Sequence, residues 1–160
     1  MAKTIEAGQW QIARAPETLQ ISGLGSCVAV CLYCSGQRLG AVGHLMLPGE
    51  GDQARVGNPD RYVASAIRRM VASLSEAGAE PGSLVAKIAG GGNLFESEDQ
   101  TLLRGVGARN ARSARQILTL LNIPVVAEEI GGNRERSLSF DLASGEMIVY
   151  CAGDKLKQTF

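Results

Sequence analysis

Two apolar runs joined by a short polar turn constrain this chain more than anything else in it. Gln20–Tyr33 is aliphatic and β-branched and is broken at Gly23 and Gly25. Ser35 and Gly36 make a turn, and Arg38–Leu47 returns as a second apolar run. Runs of this kind bounded by Gly and Ser read as strands, and their close separation predicts a β-hairpin. The hairpin carries two groups with chemistry. Cys27 follows a Gly-Ser pair in GLGSCVAVCLY (Gly23–Tyr33), and His44 stands in GHLML toward the end of the return run. Counted outward from the turn, each lies some eight or nine residues away, so a hairpin would bring them near each other. A cysteine attacks as its thiolate, and with an ordinary pKa of about 8.5 it needs a base to take its proton at neutral pH. His44, the only histidine in the chain, is the candidate base. The competing reading makes Cys27 a small apolar core residue and His44 a satisfied core histidine. A lone Cys with a lone His does not decide between them.

The core around this hairpin has to be aliphatic, because apolar residues make up 45% of the 160-residue chain and aromatics only 4%. That length fits one domain, 1–160, with a real core. Lysine plus arginine balance aspartate plus glutamate at 16 each, which gives no electrostatic reason to expect nucleic acid or an anionic membrane as partner. No run is long and apolar enough to span a bilayer, and the start MAKTIEAGQW lacks the apolar core of a signal peptide. The expectation is a soluble, cytoplasmic protein whose four cysteines, Cys27, Cys31, Cys34 and Cys151, are reduced thiols rather than a disulfide framework.

In chain order, Gly8–Arg14 reads as a first strand, and Pro48–Pro59 as a polar, glycine-rich loop. Asp60–Ala77 is the clearest helix, with Asn58 or Asp60 as cap. Val63, Ile67, Met70, Val71 and Leu74 fall at helical spacing, and Gly78 ends it. Leu84–Ala89 is a buried strand running into a glycine loop, Gly90–Asn93. Ala108–Leu121 is a second amphipathic helix. Val125–Ile130, Ser137–Leu142 and Glu146–Cys151 are the remaining strands. Strand-rich ends around two helices predict a layered α/β domain with a mixed sheet.

Three further motifs ask for a chemical reading. Cys31 and Cys34 form a CxxC, either a redox pair or half a zinc site. With one histidine and no second CxxC, and with the pair inside a strand rather than at a helix start, core packing is the favoured account. The AGGGN loop, Ala89–Asn93, resembles a phosphate cradle but lacks the GKS or GKT of a P-loop, so a close backbone approach to a neighbour or substrate is the better reading. In GGNRERS, Gly131–Ser137, two arginines around a glycine turn either grip an acidic partner or belong to a solvated loop.

Taken together, GLGSCVAVCLY with GHLMLP, then KIAGGGNLFES, GARN and AEEIGGNRERSLSFDLASGEM, resemble the chemoreceptor glutamine deamidase family, CheD, in order and spacing from Gly8 to about Cys151. The resemblance implies a single-domain layered α/β sandwich with a mixed sheet and two main helices, similar also to toxin deamidases. It implies a cysteine-dependent amidohydrolase without metal or cofactor. This enzyme would convert selected glutamines of methyl-accepting chemotaxis receptors to glutamate, with a CheC-type phosphatase as a frequent partner. The alternative on the same fold is a non-catalytic adaptor for that phosphatase or a receptor.

Residue by residue, Cys27 matches the family nucleophile and His44 its general base. Backbone N–H groups near Gly25, Ser26 and Cys27 would stabilise the oxyanion. Substrate recognition falls to loops Gly49–Asn58, Gly90–Phe95 and Gly131–Arg136, with Gly91, Gly92, Asn93, Phe95, Asn133 and Arg134 as binding candidates. One position departs from the pattern. The family's threonine, which orients the histidine, is replaced by Ile21. Ser22 is adjacent, but neighbours on a strand face opposite ways. Ser22 can serve only if Gly23 makes the backbone irregular; otherwise a backbone carbonyl or water holds the imidazole.

Overall fold

The structure, a computed structural model, describes residues 2–50, 57–80, 82–93, 105–153 and 157–160. Its strands are β1 (Ala2–Thr4), β2 (Gln9–Arg14), β3 (Thr18–Leu24), β4 (Val28–Cys34), β5 (Leu39–Leu45), β6 (Val85–Gly90), β7 (Val125–Ile130), β8 (Arg136–Asp141), β9 (Met147–Cys151) and β10 (Lys157–Thr159). The helices are α1 (Val63–Glu76) and α2 (Val106–Leu120).

The expected mixed pairing is distributed over two five-stranded sheets rather than one. The first runs β1-β3-β8-β9-β10 and the second β2-β5-β4-β6-β7. Each contains one parallel pair, β1 with β3 and β6 with β7. The second sheet is the middle layer of three. One of its faces packs on α1 and α2 through Val28, Val30, Leu32, Leu45, Ile67, Met70, Ala114 and Leu118. The other face packs on the first sheet through Ala29, Cys31, Tyr33 and Val42, which meet Leu19, Ile21, Leu138 and Phe140. A sheet covered on both faces has no polar side. That is why β4 and β5 are buried at every position and read as unbroken apolar runs. The outer sheet is covered on one face, and β8 accordingly alternates buried and half-buried residues.

The hairpin forms as expected. β4 and β5 are antiparallel from Cys34 opposite Leu39 to Val28 opposite Leu45. The first helix is shorter than its periodicity suggests. Asn58 Oδ1 accepts from Asp60 N at 3.0 Å, but what it caps is a 3-10 turn, Pro59–Arg61. At Tyr62 the chain returns to extended geometry and bridges to Leu47, so α1 proper begins at Val63. Local helix signals at Asp60 lose to pairing with the end of β5. Strands β1 and β10 have no counterpart among the expected elements. They are short, exposed edge strands with no apolar period to announce them.

Candidate active site

Cys27 ends the bend between β3 and β4, at the open end of the hairpin. The bend follows a bulge, where the β3–β8 register shifts between Ile21 and Leu24. Three consecutive carbonyls of the Gly-Ser-Cys turn are held. Gly92 N donates to Gly25 O at 3.0 Å, and Gly91 N donates to Cys27 O at 2.9 Å. Asn110 Nδ2 donates to Ser26 O at 2.9 Å. This geometry requires glycine at 90. Its φ is +102°, and an added Cβ would sit 2.5 Å from Cys27 O. The Cys27 side chain is half-buried against the inter-sheet cluster. Burial pushes its thiol above the ordinary cysteine value, while a hydrogen bond from its own backbone N–H pulls the other way.

His44 lies on the same face. It pairs with Ala29 across the ladder, two residues beyond Cys27, and the inter-sheet face includes both Ala29 and Val42. Cys27 stands just before Val28, the last paired residue of the ladder, and packs against the inter-sheet cluster, so thiol and imidazole share one face at the open end of the hairpin. The imidazole is 4% exposed. Its Nδ1 lies 3.2 Å from the main-chain oxygen of Ile5. A carbonyl oxygen only accepts, so Nδ1 carries the proton and Nε2 keeps its lone pair. Burial lowers the His44 pKa below its ordinary value, with the Ile5 hydrogen bond and the Glu6 carboxylate acting in the opposite sense. The ring is thus neutral at neutral pH and has a basic nitrogen to offer.

The other expected site residues divide. Ser22 is exposed on the bulge. Ile21, at the threonine position, is buried in the inter-sheet cluster. The group found on the imidazole is a main-chain carbonyl, the second of the two ways in which Ile21 could be accommodated. Gly91 and Gly92 spend their N–H groups on the Cys27 turn, and Asn93 N donates to Gly132 O at 2.8 Å, so this loop braces the turn that carries Cys27. Gly25, Ser26 and Cys27 are half-buried, whereas Asn133 and Arg134 are exposed on the β7–β8 turn. Ser26, Gly91, Gly92, Asn93, Gly131 and Gly132 line a cavity of about 220 Å³ closed by the first turn of α2. Phe95 and residues 51–56 of the Gly49–Asn58 loop lie outside the described residues. A second cavity, about 350 Å³, lies at the far ends of the helices and contains none of these residues.

The CxxC is core packing, as expected, and GGNRERS needs correction. Cys31 and Cys34 cannot act together, because three residues apart on a strand they face opposite layers. Cys31 lies in the inter-sheet cluster and Cys34 in the helix-side cluster. Burial drives the Cys31 thiol far up, and Cys34 Sγ donates to Gln37 Oε1 at 3.1 Å. Among the described residues, no group of three or more His, Cys, Asp and Glu could hold a metal ion. Within GGNRERS, Arg136 is not available to an acidic partner. It is 4% exposed, pairs with Glu129, and donates to Gly131 O at 2.5 Å and Gly90 O at 3.5 Å. It ties the two glycine loops together. Asn110, inside the GARN motif, is a residue that the reading of the sequence left without a role.

Comparison with known proteins decides the family. The family model described as CheD chemotactic sensory transduction matches residues 46–150. The chain belongs to the CheD family. It is similar to a probable chemoreceptor glutamine deamidase CheD of Moorella thermoacetica, 45% identical over 93% of this chain and 90% of that one. It is also similar to the chemoreceptor glutamine deamidase CheD of Thermotoga maritima, 36% identical over 96% and 94% of the two chains. A third CheD relative, from Desulforamulus reducens, is 36% identical over 92% and 89%. The family-model match begins after both Cys27 and His44, so the catalytic reading of that pair rests on geometry and on the motifs around it. Among the described residues, no helix of this CheD-family chain is long and apolar enough to cross a membrane.

Proposed function

We propose that the chain, acting as one CheD-like domain, deamidates specific glutamine side chains of methyl-accepting chemotaxis receptors through a Cys27 thioester. The observation that carries this reading is the placement of Cys27 and His44 on one face at the open end of the hairpin, with the imidazole proton held on Nδ1 by Ile5 O. With the thiol raised and the imidazole lowered, the resting pair is neutral. Nε2 then takes the thiol proton as sulfur attacks the glutamine amide carbon. The N–H groups of the turn, Cys27's among them, stabilise the oxyanion. The imidazolium returns the proton to the leaving nitrogen, ammonia departs, and a thioester remains. Water, deprotonated by the same nitrogen, adds to the thioester and releases glutamate and the thiol. Nothing in this sequence calls on a metal or organic cofactor.

Ile21 is the feature that favours a non-catalytic adaptor, and the Ile5 carbonyl removes its force by supplying the orienting hydrogen bond. A receptor helix would be recognised by the loops beside Ser26, namely Gly91–Asn93 and the Asn133–Arg134 turn. Docking of a CheC-type phosphatase on the same chain is part of the proposal. The test is incubation with receptor cytoplasmic fragments and mass-spectrometric mapping of glutamine-to-glutamate conversion. Wild-type protein should convert a small set of glutamines and Cys27→Ala none. Conversion by the Cys27→Ala protein would overturn the mechanism, and wild-type binding without conversion would favour the adaptor.

A further inference from the structure

We propose that Asn110 is a positioning residue that sets the peptide plane between Ser26 and Cys27, and so aims the Cys27 N–H at the reacting centre. This inference rests on reading Cys27 as the nucleophile. Asn110 lies on α2 with 0% exposure, and its Nδ2 donates both protons to main-chain oxygens, Ser26 O at 2.9 Å and Met46 O at 2.9 Å. Ser26 precedes the candidate nucleophile, and Met46 stands two residues past the candidate base. The β4–β5 ladder ends at Val28 opposite Leu45, so one amide group bridges the two strands just beyond their last pair.

The flanking carbonyls are held by main-chain donors, Gly25 O by Gly92 N and Cys27 O by Gly91 N. Only the middle plane of the turn depends on a side chain. A trans peptide is planar, with C=O and N–H pointing opposite ways, so fixing Ser26 O toward α2 fixes Cys27 N–H away from it. That N–H bonds the Cys27 sulfur and is a candidate oxyanion donor. Asn110 Oδ1 is buried with no partner among the described residues. Burying an unpaired acceptor is unfavourable, and an apolar residue of similar size would avoid it. The two donated bonds account for an amide at this position.

The experiment uses Asn110→Ala and Asn110→Ser in the full chain, with Leu118→Ala as an equally buried control on the same helix. Cys27 alkylation by iodoacetamide is followed against pH in each folded protein, alongside kcat and KM for receptor fragments. The alkylation profile should move to higher pH in both Asn110 variants and stay in place in Leu118→Ala. The Asn110 variants should also lose kcat by about tenfold or more, with KM within about twofold. Wild-type profiles and kcat in folded Asn110 variants would overturn the proposal. So would an equal shift in Leu118→Ala, or failure of both Asn110 variants to fold, each of which assigns Asn110 to fold support alone. A wild-type protein that converts no glutamine would overturn the deamidase reading, while the alkylation profiles still decide the role of Asn110.

Discussion

His44 Nδ1 donates to the main-chain oxygen of Ile5, 39 residues away in sequence, so the candidate base is oriented by backbone rather than by a side chain. Ile5 itself is held by its N–H, which donates to Gln20 O at 2.8 Å, and by burial in the inter-sheet cluster. The segment that carries the orienting group is thus an edge strand, β1, and the residue that follows it.

Removing residues 1–5 should therefore reduce turnover much more than it reduces receptor affinity. Misalignment of a base by about 1 Å costs up to about 100-fold, so a kcat loss of about tenfold to 100-fold is expected, with KM nearly constant. Ser22→Ala, at an exposed position, should stay within about twofold of wild type. Steady-state kinetics on receptor fragments checks both.

Ile21→Thr bears on the same question from the other side. Ile21 is buried, so threonine removes a methyl and places a hydroxyl in an apolar cluster, at a cost of about 1–3 kcal/mol in unfolding free energy. With Ile5 O already on Nδ1, no gain in kcat should accompany that loss. Urea unfolding together with kcat measures the two effects separately.

The pH profile follows from the directions of the two shifts. His44 has a pKa below 6.5, so its basic form persists as pH drops past 6.5, and kcat/KM should fall only as pH passes below that value. The same shift links to stability. The unfolded chain binds the His44 proton below about 6.5 while the folded chain does not, so His44 favours folding above that pH and the contribution is lost as pH falls toward its folded pKa. His44→Ala should flatten the acid limb of the stability profile and lower turnover by at least about 100-fold.

The thiols should separate by environment. Cys31→Ser buries a hydroxyl in an apolar cluster and should cost about 1–3 kcal/mol. Cys34→Ser should cost less, because Gln37 Oε1 and Ser83 Oγ are already beside the sulfur. Neither change should abolish deamidation. Loss of activity in either variant while it remains folded would reassign the nucleophile.

What the sequence made legible was what side chains announce in a local period. The β4–β5 hairpin, both helices and Gly78 at the end of α1 follow from aliphatic spacing and turn residues. Division of the strands into two sheets was not legible, since an apolar run looks the same whether one sheet or two bury it. Strands β1 and β10 carry no pattern because both are exposed at sheet edges. At the site, Cys27 and His44 could be picked out by chemical type. The Ile5 contribution could not, because a carbonyl oxygen is common to every residue. Asn110 and Arg136 were hidden for a related reason: each uses a side chain to hold main-chain atoms, and no spacing rule marks that use.

Gly90 gives this coupling an evolutionary edge. Any side chain there would press on the carbonyl of Cys27, so the inner wall of the loop transmits a change of a single methyl group to the candidate nucleophile. Three residues on, Asn93 lines the cavity and bonds through its main chain to Gly132. If the proposed recognition role of this loop holds, variation at Asn93 changes which surfaces the protein accepts and leaves the sulfur where it is. Variation at Gly90 can do neither independently, so changes in target choice should accumulate at the outer end of the loop and stop short of its root.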